Sequence, residues 1–590
     1  MYRRSLIIAL TTPFLGIASA FGAPSAAVVQ DPAAEPAREL FLETVDVDVV
    51  ELEVVVTDRQ GNPVLGLTRD DFRVYEDSEP VELTNFYAVE GARRVLPPEE
   101  VAAVGDDPAA RELPPSQLLN LAVAVDNANI LPANRKRVLD QLKLHLGRVV
   151  RPGDRVMVVV LDRSIYIEQS LTADLAAVVA AIDRLAESTS GRVELIAQER
   201  MIRNALATRD GSDAGTLGPG NSMFVPDNPD NPATGASRVL AMIETYGAQA
   251  DLRTRQTFEA IAHLIDSMAG LEGRNAVLLV SDGVSPRPVE ALIDELTAQF
   301  ADVASTIAGG SPASVADRWD SSDLMRRVAK KAAADRVVFY SMDAKGLFGS
   351  SGADLYGLGA PGTTGNVHLA EKDAMMFLAA STGGDVMLNP ANVAALIDRM
   401  ASDYTDYYSL GYSSPKSQDG RYHRIEVKIP GRGGLRVRHT EGYQGKDANQ
   451  RMIERTLSAL VFDVAYNPLD VRLEIGGGEQ AEKRRQLVLP LLVRVPISKL
   501  VLIPHERSHQ GKLTIYLAVQ DEEGRVIQPD PIEVPVDIPN DQLLQALSRE
   551  LGHGLNLQLR KGETKLAVGV RDEVSAVEST VNLNVSLGEG

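Results

Sequence analysis

The strongest constraint on the fold is a set of apolar runs, three of which stop at an aspartate. Leu118–Val125 is apolar except for Asn120 and ends at Asp126. Asn275–Val280 leads into Ser281-Asp282-Gly283, and Arg336–Met342 leads into Asp343. Arg155–Leu161 is a fourth run of the same kind. Apolar runs without polar alternation are what strands covered on both faces look like. Helical spacing fills the gaps between them, at Asn134–Val149 (Val138, Leu142, Leu146), Asp174–Leu185, Phe258–Met268, Leu324–Ala334, Ala374–Ala380 and Ala394–Tyr404. Strands alternating with helices predict an α/β class, a doubly wound and mostly parallel sheet, over residues 117–445.

The flanks have a different rhythm. Val45–Val49 alternates, Leu52–Val56 is β-prone, and Thr57–Val64 and Asp70–Asp77 supply turns, so residues 41–92 read as a small β module. Residues 93–116, rich in Pro, Glu, Asp and Ala, read as a linker. Tyr407–Tyr412, His423–Ile429 and Leu435–Arg438 read as a trailing β segment of the α/β region. After a helical connector at Asn449–Phe462, the strands at Leu487–Val495, Lys512–Val519, Ile532–Val536, Lys565–Val570 and Val581–Val585 predict a C-terminal β-sandwich over 446–590. Stretches near 205–250, 303–322 and 348–367 read as insertions, with Asp210–Gly235 as an exposed loop.

A basic start (Arg3-Arg4), a short apolar run and Ala18-Ser19-Ala20 predict a secretion signal over 1–22, followed by a flexible leader over 23–40. An extracytoplasmic protein, periplasmic or secreted, is expected. No later segment approaches the ~20 apolar residues of a transmembrane helix. The net charge of −21 argues against a nucleic-acid partner, because phosphates call for a basic face. The absence of cysteine excludes disulfides, thiolate zinc sites, a cysteine nucleophile and a lipoprotein anchor.

Three stretches taken together resemble the bacterial von Willebrand factor A-related proteins of the Acidobacteria type. They are Val56–Val64 with Gly66-Leu67-Thr68 and Asp71-Phe72, the Ser281-Asp282-Gly283 step, and Thr382-Gly383-Gly384 followed by Tyr407–Tyr412 and Glu441-Gly442-Tyr443. The resemblance covers roughly residues 40–445 and implies a von Willebrand A-like fold. It also implies a metal-ion-dependent adhesion site: Asp-x-Ser-x-Ser after the first strand, a Thr in a later loop, and an Asp after the fourth strand. Asp126 and Asp282 match the acids, and Thr189 lies where the Thr loop falls. Ala128 and Ile130 occupy the two Ser positions and bring no side-chain oxygen, although Asn129 could supply one if the register shifts. The site is therefore a degenerate one for Mg²⁺, with Mn²⁺ or Ca²⁺ as substitutes. The competing reading has Asp126 and Asp282 capping helix starts and accepting backbone hydrogen bonds.

His505-Glu506-Arg507-Ser508-His509 fits the H-E-x-x-H pattern of zinc proteases, which works only on a helix. Leu500–Ile503, Pro504 and Gly511 frame it as a loop between strands. The tyrosines at 404, 407, 408 and 412 read as strand packing. No phosphate loop or nucleophile elbow is present. The expected function is thus a non-enzymatic protein-binding or adhesion module with an unidentified protein partner. A metal-independent envelope scaffold is the alternative, and a zinc metalloprotease a more remote one. The sequence leaves the oligomeric state open.

Overall fold

A computed structural model of the protein describes residues 49–95, 117–188, 193–208, 232–301, 312–345, 363–388, 393–476, 479–480 and 486–587. The signal, the leader, Thr189 and residues 209–231 of the expected loop lie outside them. Two compact units form. One spans residues 50–412 and 416–463, and the other takes Val49, Ser413–Pro415 and the chain from Val464 onward.

The first unit opens with β1 (Val49–Thr57), β2 (Arg73–Glu76), β3 (Glu79–Val81), β4 (Asn85–Glu90) and β5 (Arg93–Val95). The expected linker therefore begins later than residue 93, because Arg93–Val95 pairs with Ala88–Glu90.

The next six strands form one sheet: β6 (Leu119–Asp126), β7 (Arg155–Leu161), β8 (Ile165–Thr172), β9 (Arg274–Ser281), β10 (Val337–Asp343) and β11 (Val386–Met387). Their order is β11-β10-β9-β6-β7-β8. All pairs are parallel except β7 with β8. Every residue of β6 and β9 is buried, which is the physical origin of their unbroken apolar runs.

Around this sheet lie α1 (Pro132–His145), α2 (Leu175–Ala186), α3 (Val193–Thr208), α4 (Pro232–Met268), α5 (Glu290–Gln299), α6 (Pro312–Arg318), α7 (Ser322–Ala334), α8 (Thr363–Thr382) and α9 (Val393–Thr405). Leu119, Leu121, Val123 and Val125 of β6 share one core with α1, α2 and α9. The alternate residues Ala122 and Ala124 are buried on the other face. The expected loop ending at Gly235 is corrected at its C-terminal side. Pro232–Gly235 open the 37-residue helix α4, with the proline at a helix start where its missing N–H costs nothing. Residues 312–318 and 363–367, expected as insertions, are likewise helical. With α3, α5 and α6, the first half of α4 builds a satellite core around Ile202, Leu206, Ile243, Leu292 and Phe300.

The chain then returns to its beginning. The trailing strands β12 (Tyr407–Ser413), β13 (Tyr422–Lys428), β14 (Arg436–Arg438) and β15 (Gly442–Gln444) do not form a segment apart from the N-terminal module. They interleave with it as two sheets, β14-β1-β12-β4-β5 and β15-β13-β2-β3. One core serves both sheets and contains Val50, Leu52, Phe72, Tyr408, Tyr412 and Tyr443. The Tyr408 hydroxyl donates to Val64 O (2.8 Å) and accepts from Leu67 N–H (3.0 Å), holding the Gly61–Leu67 turn in place. Gly384 passes so close to Phe339 O that an added Cβ would lie 2.0 Å from it, which accounts for the Thr382-Gly383-Gly384 motif. Helix α10 (Ala448–Phe462), capped by Asp447, closes this unit.

The second unit is β-rich and built of antiparallel sheets, and its main run begins at Val464, whereas the sequence placed the start of the sandwich at residue 446. Its strands are β16 (Arg472–Ile475), β17 (Glu479–Gln480), β18 (Gln486–Pro496), β19 (Ile503–Pro504), β20 (Ser508–Gln520), β21 (Val526–Ile527), β22 (Ile532–Pro539), β23 (Glu550–Arg560), β24 (Gly562–Asp572) and β25 (Glu578–Leu587). One sheet centres on β18 and β23, the other on β20, β24 and β25. A shared core joins Leu489, Leu491 and Leu557 to Leu517, Leu566 and Val568.

Candidate functional site

Parallel register lines up the strand ends. Val125 pairs with Val280, and Ser281 pairs with Asp343, so Asp126, Ser281 and Asp343 end three neighbouring strands in a row. Such a row at the carboxyl ends of a parallel sheet is where ligand sites gather in open α/β folds.

Asp126 is fully buried. Its carboxylate accepts from the Asn129 backbone N–H (3.2 Å), from the Asn129 side-chain amide (3.0 Å to each oxygen) and from the Ser281 hydroxyl (2.7 Å). The same amide donates to Thr257 Oγ1 on α4 (2.9 Å). Gly283, with φ at +111°, turns its N–H back onto the Ser281 hydroxyl (3.0 Å). Asp282 accepts the N–H of Leu131, the residue just before α1, at 2.8 Å, and the Asn134 amide at 3.0 and 2.9 Å. A carboxylate from one strand thus satisfies the helix start after another, the capping role weighed from the sequence. Asp126 accepts a backbone N–H only from Asn129, in the turn before α1, so of the two acids Asp282 alone meets a helix start.

Cations crowd the same edge. Lys372 Nζ of α8 lies 3.0 Å from Asp343 Oδ2, and both side chains are buried. Arg135 of α1 is wholly buried and donates to Asn127 Oδ1 and the Ser188 carbonyl. Burial pulls its pKa below the usual guanidinium value. Arg137 donates to Ala344 O (2.6 Å), and Arg253 of α4 donates to Ala128 O (3.0 Å).

As arranged, this donor set does not fit an octahedral Mg²⁺. Asn129 turns N–H, not carbonyl, toward Asp126, and positions 128 and 130 contribute no side-chain oxygen. Among the described residues no cluster of three His, Cys, Asp or Glu is placed to hold a metal ion. Thr189 lies outside the described residues, and the threonine that does reach the cluster is Thr257. Sequence reading found Asp126, Asn129 and Asp282. It missed Ser281 as a hydrogen-bond donor, although Ser281 stands inside the motif that identified Asp282. Lys372 and Arg135 gave no local signal.

Next to this edge, Asn129, Gly283 and Arg287 line a small cleft of about 40 Å³, walled on its other side by Glu199 and Arg203 of α3 and Tyr246 of α4. Arg203 bridges Glu295 (2.7 Å) and Glu199 (3.1 Å), so the cleft wall is already charge-paired.

Of the H-E-x-x-H segment, His505–Arg507 form the turn between β19 and β20, and Ser508 and His509 open β20. His505 N–H donates to Ser508 O (2.7 Å), and His509 Nδ1 lies 2.9 Å from Asn540 Oδ1. His509 is in strand, so the two histidines do not share a helical face.

No family model matches the chain, and no curated protein matches it. Solved structures similar to it include an aerotolerance-related membrane protein from Bacteroides fragilis (9% identity, 48% of this chain and 98% of that one, TM-score 0.21). BatB from Bacteroides thetaiotaomicron is another (10%, 48% and 99%, TM-score 0.17). A third contains three N-terminal domains of the type V pili tip protein Mfa5 from Porphyromonas gingivalis (9%, 87% and 76%, TM-score 0.23). TM-scores this low carry no argument about fold or function. No described helix is long and apolar enough to cross a membrane.

Proposed function

We propose that this chain is an exported, non-enzymatic binding protein built on a von Willebrand A-like sheet, and that it holds a protein partner without a resident metal ion. The observation that carries the metal-free part is the commitment of Asp126 and Asp282 to hydrogen bonds from protein donors: Asn129 and Ser281 for the first, Leu131 N–H and the Asn134 amide for the second. A divalent cation would have to displace several of them, and buried carboxylates give up such bonds at a cost of about 1–3 kcal/mol each. Support for a binding role comes from the cleft beside the sheet edge and from its charge-paired wall, which brings no nucleophile–base pair together. Export rests on the N-terminal sequence pattern alone.

The test is calorimetric titration of the mature protein with Mg²⁺, Mn²⁺, Ca²⁺ and Zn²⁺, beside an Asp126→Ala/Asp282→Ala variant. The expected result is no saturable heat with Mg²⁺ or Mn²⁺. Mg²⁺ binding that disappears in the variant would overturn the metal-free reading in favour of metal-dependent adhesion. Stoichiometric Zn²⁺ binding that survives the variant would instead revive the protease alternative.

A further inference from the structure

Both ring nitrogens of His423 face carboxylates from separate stretches of chain. Nδ1 lies 2.8 Å from Asp77 Oδ2, at the turn between β2 and β3, and Nε2 lies 3.0 Å from Asp419 Oδ1, in the loop before β13. The side chain is 6% exposed and lies against the Tyr443 ring of β15 at 5.4 Å. A neutral imidazole has one N–H, so it can serve only one of these carboxylates. Imidazolium serves both.

The two anchors are held unequally. Asp77 also accepts from Lys416 Nζ (2.9 Å) and Arg424 N–H (3.0 Å). Apart from His423, Asp419 is held by Arg421 N–H (2.8 Å). The other charged or titratable groups around the ring are Glu76 beside Asp77, 3.9 Å from Lys416, and Tyr422 on β13, whose ring carries Lys330 of α7 at 4.4 Å.

We propose that His423 is a proton-dependent clasp that fastens the Asp419 turn to the N-terminal hairpin and, when the imidazolium loses its proton, releases that turn between the two anchors that stay, Lys416 on Asp77 and Gly420 on Gly445. On deprotonation one ring nitrogen presents a lone pair to a carboxylate. Asp77 is fixed by two other donors and stays. Asp419 swings toward solvent.

The pH window follows from the signs. Burial disfavours the His423 charge, but the hydrogen bonds to Asp419 and Asp77 outweigh it and raise the pKa above 6.5. That contribution is complete below the unfolded value and is lost as pH rises through the raised one. Asp77 is depressed, chiefly by Lys416 and then His423, and Asp419 is depressed by His423 and Arg421 N–H. Their contribution is present above the ordinary carboxylate value and is lost only as pH falls through the depressed ones. The clasp is therefore shut between the depressed carboxylate values and the raised His423 value, and opens as pH climbs through the latter.

The experiment uses the full chain. Histidine labelled at Cε1 is titrated by NMR, with His423→Gln assigning one signal among the eight histidines. Hydrogen exchange of peptides spanning 416–424 is followed over the same pH range by mass spectrometry and corrected for base catalysis. The expected result is a His423 transition above 6.5, with exchange of the amides around Asp419 severalfold faster above it than below it. The amides around Asp77 should stay protected. His423→Gln should remove the pH step, and the milder Asp419→Asn should lower the transition without unfolding the sheet. A His423 transition at or below 6.5, exchange indifferent to pH, or a uniform rise across the whole sheet would each overturn the clasp.

Discussion

The two ends of the parallel sheet bury charge in opposite ways. At its C-terminal end, Asp126 and Asp282 are satisfied by neutral donors and Asp343 by the Lys372 ammonium, and a small cleft lies alongside. At its N-terminal end, Arg274 begins β9 with its guanidinium between the rings of Tyr404 (4.2 Å) and Tyr407 (4.1 Å), and Glu53 of β1 lies 3.0 Å from Nε. Beside it, Asp403 accepts from Arg438 of β14 (2.8 Å) and from Tyr340 OH (2.9 Å). Burial pushes the Tyr404 and Tyr407 hydroxyls well above their usual pKa. The N-terminal end is thus bonded to the two-sheet β module, with charges and rings shared across the joint. The C-terminal end satisfies itself and leaves a surface beside it. That asymmetry, more than the presence of acids, is what the proposal of a partner site at the C-terminal end rests on.

The largest effect expected is at the joint. Arg274→Ala should cost about 3–5 kcal/mol, because it strands Glu53 and empties the space between two rings. Arg274→Lys should recover little, since an ammonium does not stack as a planar guanidinium does. Denaturant midpoints measure both, and a loss below about 1 kcal/mol would show that the joint is not held by this cation.

At the opposite end Lys372→Met should cost about 3 kcal/mol by leaving Asp343 buried and uncompensated, whereas Lys372→Met with Asp343→Leu should come back toward wild type. If the double variant is as unstable as the single one, the pair does more than neutralise itself. The smallest effect belongs to Asp282→Ala, about 1–2 kcal/mol, for the lost helix-start hydrogen bonds, with Asp282→Asn falling between. A stabilising Asp282→Ala would indicate that the carboxylate is held for binding and not for capping.

Much of this was legible in the sequence, for physical reasons. Burial on both faces leaves no room for polar residues, so β6, β7, β9 and β10 announced themselves, and their closing aspartates marked the edge. Strand β8 exposes Tyr166 and Ile167 and carries no such run. The first half of α4 was obscured by the Gly and Pro that open it, and β23 by Gly552 and Gly554. The joining of the N-terminal and trailing strands was illegible because pairing between distant segments leaves no local trace. Lys372 was missed for the same reason: nothing in Glu371-Lys372-Asp373 says which carboxylate the amine will meet.

The interleaving of β1–β5 with β12–β15 also sets an order of events. Leu67 and Tyr408, which share a hydrogen bond, are 341 residues apart. The Val-rich β1 leaves the ribosome long before the strands that cover it and waits with an open edge, the condition in which strands pair with the wrong neighbour. Closure of the module is a late, high-contact-order step that follows assembly of the intervening α/β sheet. A chain arrested before Tyr407 would carry a finished sheet and an orphaned set of sticky strands. Handling that intermediate falls to whatever accompanies the chain during synthesis.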